Sequence, residues 1–427
     1  MRQAPPSAIR ASETGSMAHL HIRPERNGTI HESRSARALH FHLKDDFRGI
    51  NMRLFDTPLS ELGIRDLDRW RELARPDGRL VSPYLLPDFA QMVDAQRHDV
   101  RVIIAEENSA PIGYFAYHAP QGGIARPVGA PLSDYQGFAA VPGFRVDEKD
   151  LLTAMGADVL VYDNWMGQPL GKTRAQTRSS IIDLSEGLDS WMARKEATQH
   201  KHFKKLRQRQ RKAEREFGPI RVVFGDPLGD HFDTLRTWKS QQYRDTGLLD
   251  LFGVAWVDSV IRNCAARSFG PFRGLVASLY LGERLAAVEM GIVAGDVYHS
   301  WMPAYDPAFR AVSPGHLLLQ GIIEAAPNMR INRIDLGGGD YAYKAAYTDY
   351  EVALSGGRAM KPSAAMASLL AWDGAEAAAR LLPGPLANAP LKLRRRWAQT
   401  AAAEPVLVRR VHHMGEAFLK APQRLTA

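Results

Sequence analysis

The sequence predicts an α/β (α+β) protein of two similar halves, each a mixed, mostly antiparallel sheet flanked by helices. Strand-like alternation interrupted by tight polar turns occurs twice, at 100–118 and again at 273–302. Helical periodicity precedes and follows each of these strand groups. The stretch 102–115 also matches 275–288 in its pattern of apolar and turn residues. Together these observations indicate an internal duplication.

The hydrophobic periodicity and the polar turns predict the following elements in chain order. In the first half, we expect helices at 59–75, 86–94 and 150–155, and strands at 100–106, 112–118, 159–162 and 178–183. In the second half, we expect helices at 231–243, 254–268 and 314–326, and strands at 220–224, 273–281, 285–293, 297–302 and 331–336. The hairpin turns carry Gly, Asn, Ser, Asp or Pro, which suit tight turns.

Five segments are predicted along the 427 residues. They are a disordered extension at 1–51, a first domain at 52–192, a basic connecting helix at 193–218, a second domain at 219–355, and a basic, partly helical tail at 356–427. The extension is polar and contains five irregularly spaced histidines, which do not suggest a metal site. Periodic sequence begins at Met52, which we expect to be the natural start.

The connecting segment has an unusual composition. Residues 193–217 contain ten Lys or Arg and three Glu, with a narrow apolar stripe formed by Phe203, Leu206, Ala213 and Phe217. The pattern predicts one helix with a basic face. Such a face suits either solvent or a polyanion.

Composition excludes several classes of protein. The hydrophobic fraction, 45%, is typical of globular domains, and no apolar run approaches the roughly 18 residues of a membrane span. No signal peptide is recognisable. The single cysteine, Cys264, excludes an internal disulfide and favours a cytoplasmic protein in which this thiol is structural. Residues 355–427 contain 11 Lys or Arg against 4 Asp or Glu, so most of the net charge of +8 lies in the tail.

A turn ending in Ser313-Pro314-Gly315 opens the predicted helix at 314–326. Ser313 is suited to cap the helix, and proline is favoured in a first helical turn. Gly315 allows a ligand to approach the backbone. Because the first N–H groups of a helix are unpaired and carry its positive dipole end, we expect a phosphate or pyrophosphate here.

The order of a helix pair, an antiparallel meander, Arg-x-x-Ser-x-Gly, a helix and a strand resembles the GNAT acyltransferases. In that family a related turn, with glycine where Ser313 stands, binds the pyrophosphate of acyl-CoA. The paired halves with a basic helix between them also resemble FemAB-like transferases. The resemblance implies tandem GNAT domains and an acyl-CoA cosubstrate, with no metal. It places the cofactor against Arg310, Ala311, Val312, Ser313, Gly315 and His316.

The most specific resemblance, over about residues 53–355, is to the CelD/BcsL-type GNAT acetyltransferases of bacterial cellulose and exopolysaccharide synthesis. It is carried by the segments 82–84, 132–137, 239–247, 299–307, 313–315 and 335–344. The resemblance implies direct acyl transfer to the nitrogen or oxygen of a sugar-containing envelope precursor, so Cys264 is not required as a nucleophile.

Five residues are candidates for the chemistry of transfer. Glu289, flanked by apolar residues, would have a raised pKa that suits a general base, and His299 is an alternative base. Asp340, Tyr343 and Lys344 follow a triple-glycine turn that can present them to a cleft. We expect Tyr343 to donate a proton to the thiolate or oxyanion, and Lys344 to bind an acceptor carboxylate or a CoA phosphate.

For the acceptor, we expect an aromatic surface from Trp301 and Tyr305 and a groove lined by Asp134, Tyr135 and Gln136. Only the second half has the glycine-bearing turn, which predicts one competent site. Two other functions stay open: an aminoacyl-tRNA-dependent transferase, favoured by the basic helix, and a non-catalytic module of a polysaccharide-synthesis complex. The tail, with Leu391–Trp397 and Val406–Val411, suits a membrane surface or a polysaccharide synthase.

Overall fold

One continuous sheet organises the protein. The computed structural model describes residues 39–40, 52–75, 82–226, 229–246, 248–339, 341–381, 389–404 and 410, all within one compact unit, Ala36–Ala427. The strands in these ranges are β1 (Leu39–His40), β2 (Met52–Pro58), β3 (Val100–Glu107), β4 (Ala110–Gln121), β5 (Ile124–Pro127), β6 (Ala139–Ala140), β7 (Val159–Met166), β8 (Lys172–Asp183), β9 (Ile220–Phe224), β10 (Phe272–Leu281), β11 (Arg284–Ala294), β12 (Val297–Tyr305), β13 (Arg333–Gly338) and β14 (Tyr350–Met360).

Helices flank this sheet. They are α1 (Ile64–Leu73), α2 (Pro87–Arg97), α3 (Glu148–Ala154), α4 (Leu188–Thr198), α5 (His200–Phe217), α6 (Asp230–Thr246), α7 (Ala255–Ala266), α8 (Pro314–Ala325), α9 (Lys344–Tyr347), α10 (Ala364–Ala379) and α11 (Ala389–Ala403). Most elements predicted for the two halves are present, with ends that shift by a few residues. The predicted disordered extension lies outside the described residues except for Leu39–His40, which pairs with β2.

The two halves repeat one arrangement. In the first, the antiparallel strands β2 to β5 lead through α3 to β7, which pairs parallel to β5. In the second, β9 to β12 lead through α8 to β13, which pairs parallel to β12. This order agrees with the predicted duplication and with a mixed, mostly antiparallel sheet.

The halves are joined by exchanged strands. The strand order is β1-β2-β3-β4-β5-β7-β14-β8-β13-β12-β11-β10-β9, with β6 on β4. Thus β8, which ends the first half, lies beside β13 of the second half, and the late strand β14 lies beside β7. Because β14 crosses residue 355, the first five residues assigned to the tail belong to the sheet. The predicted domain limits stay a prediction.

The parallel strand pairs separate after a few residues, which leaves a gap in each half. The gap is filled by protein chain in one half and not in the other. Strands β12 and β13 pair only from Val297 to His299 and then diverge. In the first half, β5 and β7 also diverge, but the chain at 133–138 enters the gap. The N–H of Gln136 donates to the carbonyl of Asn164 (2.9 Å), and the N–H of Met166 donates to the carbonyl of Gln136 (2.7 Å). The first half is therefore closed by its own chain.

Cys264 is one of the residues that join the halves in a common core. The same apolar cluster contains Phe89 of α2 and Ile261 of α7. Cys264 is buried, and burial raises the pKa of its thiol to about 12. The thiol is therefore protonated at neutral pH, which confirms the prediction of a structural cysteine.

The connecting segment is two helices and not the single helix predicted. The chain bends at Gln199, between α4 and α5. The bend lets α4 dock separately: the Nε1 of Trp191 donates to Asp349 (2.7 Å), and Lys195 forms an ion pair with the same carboxylate (2.9 Å). The predicted apolar stripe of α5 is confirmed, since Phe203, Leu206 and Ala213 are buried; Phe217, at its end, is half-buried.

The tail packs back on the body as far as it is described. Arg394 of α11 forms ion pairs with Asp373 (2.5 Å) and Glu376 (2.6 Å) of α10, and the Nε1 of Trp256 donates to the carbonyl of Ala403 (2.5 Å). Apart from Arg410, the motif at 406–411 lies outside the described residues. None of the helices in the described part of the chain is both long and apolar enough to cross a membrane.

Two glycines of α8 offer a matched test of this packing. A Cβ on Gly321 would lie 2.5 Å from the Cγ2 of Val222 in β9, whereas a Cβ on Gly315 would meet nothing within 4 Å. We expect Gly321→Ala to lower the free energy of unfolding by about 1–3 kcal/mol through overpacking. Gly315→Ala should leave it unchanged or raise it by up to about 1 kcal/mol. Urea denaturation of both variants measures this; equal stabilities would contradict the packing of α8 on β9.

Candidate functional site

The gap between β12 and β13 is a cavity of about 710 Å³ to which both halves contribute. Its wall includes side chains from β7, β8, α6, β11, β12 and the start of α8. The lining residues are Asp134, Asn164, Thr177, Lys239, Gln242, Glu289, Ser300, Trp301, Pro303, Tyr305, Gly315, His316, Leu319, Leu336, Gly337, Gly338, Gly339, Tyr341, Tyr343 and Lys344. Eight residues predicted for the site therefore meet in one place.

Ser313 does not cap α8 with its side chain, contrary to the prediction. Its backbone is left-handed (φ 55°, ψ 62°), and no hydrogen bond from the helix reaches its hydroxyl. Capping side chains normally extend from β-region backbone, so this conformation removes the required geometry. The left-handed region favours glycine, so a serine at this position is unusual.

The predicted cofactor residues divide into two groups. Gly315 and His316, in the first turn of α8, line the cavity. Arg310 and Ala311 are exposed on the preceding turn and do not line it, while Val312 is buried in the core. The side chain of Val312 faces the core, and the cofactor role expected for this residue stays a prediction.

His316 is held neutral at the cavity wall. Its imidazole ring lies 6.0 Å from that of His202 in α5 and 5.1 Å from the ring of Tyr343. Burial lowers the pKa of His316 to about 4, and the positive charge of Arg209 adds to this effect. The basic helix α5 therefore stands next to the start of α8, where its charges favour an anionic ligand.

Glu289 has the environment of a general base. Its side chain is buried on β11 but lines the cavity, and the hydroxyl of Tyr298 donates to its Oε1 (2.8 Å). Burial raises the pKa of this carboxyl above its usual range, although the hydroxyls of Tyr298 and Ser300 oppose the shift. A carboxylate of raised pKa accepts a proton more readily than an exposed one.

Tyr343 lies on the same cavity and can donate a proton. Burial, together with the negative charge of Glu289, raises the pKa of its phenol to about 12. The neighbouring Lys344 also lines the cavity, and its predicted ligand-binding role stays a prediction. Its ammonium is buried and donates to the carbonyls of Gly337 (2.8 Å) and Gly338 (2.9 Å). Asp340 lies outside the described residues.

His299 is fully buried and does not line the cavity. Its Nε2 bonds to Asp134 (2.9 Å) and its Nδ1 lies 3.2 Å from Asp335. Burial by itself would lower the pKa of His299, but the two carboxylates outweigh it and raise the pKa to about 10. His299 is an imidazolium at neutral pH and cannot accept a proton, so the structure argues against the predicted role as a base.

The predicted acceptor groove is only partly formed. Asp134 lines the cavity, whereas Tyr135 and Gln136 are buried away from it. Gln136 is occupied in closing the first half, where its Oε1 accepts from the N–H of Asp163 (2.9 Å). Trp301 and Tyr305 both line the cavity as expected, and Trp301 is fixed by a bond from its Nε1 to the carbonyl of Leu132 (3.2 Å).

Several lining residues were not predicted from the sequence. Lys239 and Gln242 lie three residues apart on α6, a spacing that places them on one face and could have indicated a site. Burial lowers the pKa of Lys239, whose ammonium donates to the carbonyl of Pro303 (3.0 Å). Asn164 and Thr177 come from central strands of the first half and carry no local signal. Among the described residues, no group of three or more His, Cys, Asp or Glu could hold a metal ion.

Residues 200–345 match the sequence model of a family described as an acetyltransferase (GNAT) domain. No curated protein matches the chain. The solved structures with a similar fold include a tandem GNAT protein from the clavulanic acid biosynthesis pathway, at 12% identity and a TM-score of 0.41, covering 73% of this chain and 100% of that one. They also include FemX, at 11% identity and a TM-score of 0.45, covering 70% and 96%.

The GNAT fold predicted for this chain is confirmed, and so is the prediction of an acyltransferase, because the matched segment runs from α5 to the start of α9 and contains the turn, Glu289 and Tyr343. GNAT domains use acyl-CoA as a cosubstrate.

The charge state of His299 can be measured through stability. The raised folded-state pKa, about 10, lies above the ordinary value of about 6.5. The stabilisation from this group is therefore complete below about pH 6.5 and is lost as the pH rises through about 10. We expect the loss of unfolding free energy in His299→Gln to be largest near pH 6 and to shrink towards pH 10 in urea denaturation. The exposed His200→Gln is the control; a loss at His299 that is independent of pH would contradict the ion pairs.

Proposed function

We propose that the protein transfers an acyl group, in the first place acetyl, from acyl-CoA directly to the nitrogen or oxygen of a sugar-containing precursor of the envelope, of an exopolysaccharide or of cellulose. The observation that carries the proposal is that Glu289 and Tyr343 line one cavity that begins at the first turn of α8. A proton acceptor and a proton donor are thus available in one cavity.

The residues at the start of α8 suit the phosphates of CoA. Gly315 leaves open space beside the helix backbone, and the buried Nδ1 of His316 has no hydrogen-bond partner in the described part of the chain. The positive end of the helix dipole and the nearby cations of α5 both favour an anion. The cosubstrate would supply the thioester, and Gly315 and His316 would hold its phosphate-bearing part.

Transfer then requires two proton movements by this chain's own side chains. Glu289 takes the proton of the acceptor amine or hydroxyl as that atom forms a bond to the thioester carbonyl carbon. Tyr343 gives its proton to the sulfur as the carbon–sulfur bond breaks. The raised pKa of Tyr343 keeps the phenol protonated until then. Protonated Glu289 and the tyrosinate recover their starting states by exchange with solvent.

The remaining polar and aromatic lining residues suit a polyhydroxylated acceptor. Asn164, Gln242 and Thr177 offer neutral donors and acceptors that match hydroxyl groups, and Trp301 and Tyr305 offer aromatic faces for a sugar ring. The resemblance to CelD/BcsL-type enzymes points to the same class. We also propose that the basic tail contacts a membrane or a polysaccharide synthase at the cytoplasmic face. The positive charge of the tail supports this contact, and flotation with anionic vesicles tests it.

The basic helix favours a second candidate, an aminoacyl-tRNA-dependent transferase. The exposed cations of α5 begin beside His202, whose ring contacts His316 at the cavity. Binding of tRNA that weakens steeply with salt would support this function, since phosphate contacts release counterions. A protein that binds neither acetyl-CoA nor tRNA would be a non-catalytic module.

Cofactor binding is the first test. We expect micromolar binding of acetyl-CoA to the wild type in calorimetry, and at least about a tenfold loss in Gly315→Asp, equal to about 1.4 kcal/mol, because a carboxylate at this turn repels phosphate. Gly315→Ala is the control for added volume, and circular dichroism verifies folding. Undiminished binding in Gly315→Asp would exclude this turn as the phosphate site.

The base can be tested by its pH dependence. We expect Glu289→Gln to reduce kcat by about 10²–10⁴-fold, measured as release of CoA thiol from acetyl-CoA with hydroxylamine as acceptor. In the wild type the activity should fall as the pH drops through the raised pKa of Glu289, because a protonated carboxyl cannot accept a proton. The variant should lose this dependence. Glu283→Gln, in the exposed turn after β10, is the control; an unchanged pH profile in Glu289→Gln would point to another base.

A further inference from the structure

The segment that closes the first half also supplies a side chain to the cavity of the second. Residues 133–137 occupy the gap beside β7, and within this segment Tyr135 and Gln136 are buried. The side chain of Asp134, by contrast, is 36% exposed and lines the cavity. The chain of the first half therefore fills its own strand gap and contributes a carboxylate to the cavity of the second half.

A chain of buried charges fixes this carboxylate. Asp134 accepts from the Nε2 of His299 (2.9 Å), and the other nitrogen of His299 lies 3.2 Å from Asp335. Asp335 in turn accepts from the hydroxyl of Ser179 (2.6 Å) and the N–H of Gly337 (2.8 Å). His299 and Asp335 are 0% and 1% exposed. Since a buried charge without its partner is strongly unfavourable, the arrangement has little freedom to rotate.

We infer that Asp134 is the acceptor-binding carboxylate of the site, and that His299 and Asp335 are positioning residues that hold it towards the cavity. This inference rests on the proposed function. An ionised carboxylate only accepts hydrogen bonds, so Asp134 selects a ligand that presents hydroxyl or amino groups. The ligand class is a sugar or amino sugar.

The neighbours of Asp134 fit the same class. Asn164 of β7 and Thr177 of β8 line the cavity with it, and the buried hydroxyl of Thr177 has no hydrogen-bond partner among the described residues. A buried hydroxyl without a partner is unfavourable unless a ligand or water completes it. Asp134, Asn164 and Thr177 thus form the polar part of the cavity lining that the first half supplies.

The test separates acceptor binding from cofactor binding and from chemistry. Acetyl-CoA affinity is measured by calorimetry. Release of CoA thiol is measured with glucosamine, glucose and UDP-glucose as acceptors, and with hydroxylamine as an acceptor that is not a sugar. For the best sugar, we expect Asp134→Asn to raise KM at least about tenfold, as expected for the loss of a charge-assisted hydrogen bond. The affinity for acetyl-CoA should change less than twofold. The exposed Asp189→Asn is the matched control.

Positioning predicts that effects do not add. His299→Gln and Asp335→Asn should raise KM for the same sugar, and Asp134→Asn/His299→Gln should be no worse than Asp134→Asn alone, because both changes remove one interaction. An unchanged KM in Asp134→Asn, or additive effects in the double variant, would overturn the inference. The inference would also be overturned if the wild type binds acetyl-CoA and acetylates hydroxylamine but uses none of the three sugars. That result would still support an acyltransferase. A wild type that does not bind acetyl-CoA would overturn the proposed function itself.

Discussion

The site depends on the separation of two parallel strands. Strands β12 and β13 pair over only three residues and then diverge, which leaves backbone groups of both strands without each other as partners. Such groups must be satisfied by other chain segments, by solvent or by a ligand. In the first half the same divergence is filled by residues 133–138, whereas in the second half it stays open as the cavity. One strand arrangement thus gives a closed half and an open half.

Two buried carboxyls around this gap have pKa values shifted in opposite directions. For Glu289, burial outweighs the hydroxyls of Tyr298 and Ser300 and the charges of His299 and Lys239, so its pKa rises. Asp335 is equally buried but faces His299, Ser179 and a backbone N–H, and its pKa is lowered despite the desolvation. The carboxyl of raised pKa is suited to move a proton, and the carboxyl that is paired directly with His299 is suited to hold a structure in place.

Two histidines show the same contrast. His299, between two carboxylates, keeps its positive charge, while His316, near Arg209 and His202, loses it. The charged histidine serves to orient Asp134, and the neutral one contributes to the wall at the start of α8. Both halves contribute to the cavity because their strands lie in one sheet. Strands β7 and β8 bring first-half residues to it, and the second half supplies the turn and the base.

Much of the local structure follows from the sequence alone. Period-2 and helical patterns predict most strands and helices, and the apolar stripe of α5 predicts its buried face. Glu289, Tyr343 and Gly315 could be selected as site residues because an isolated acid in an apolar strand and a Ser-Pro-Gly turn are local signals. Other features are long-range: the break at Gln199, the insertion of β14 between β7 and β8, and the contacts of Asp134, Lys344 and His299. Hydrogen bonding between distant strands and the presence or absence of a counter-charge decided these, and neither is encoded in the spacing of neighbouring residues.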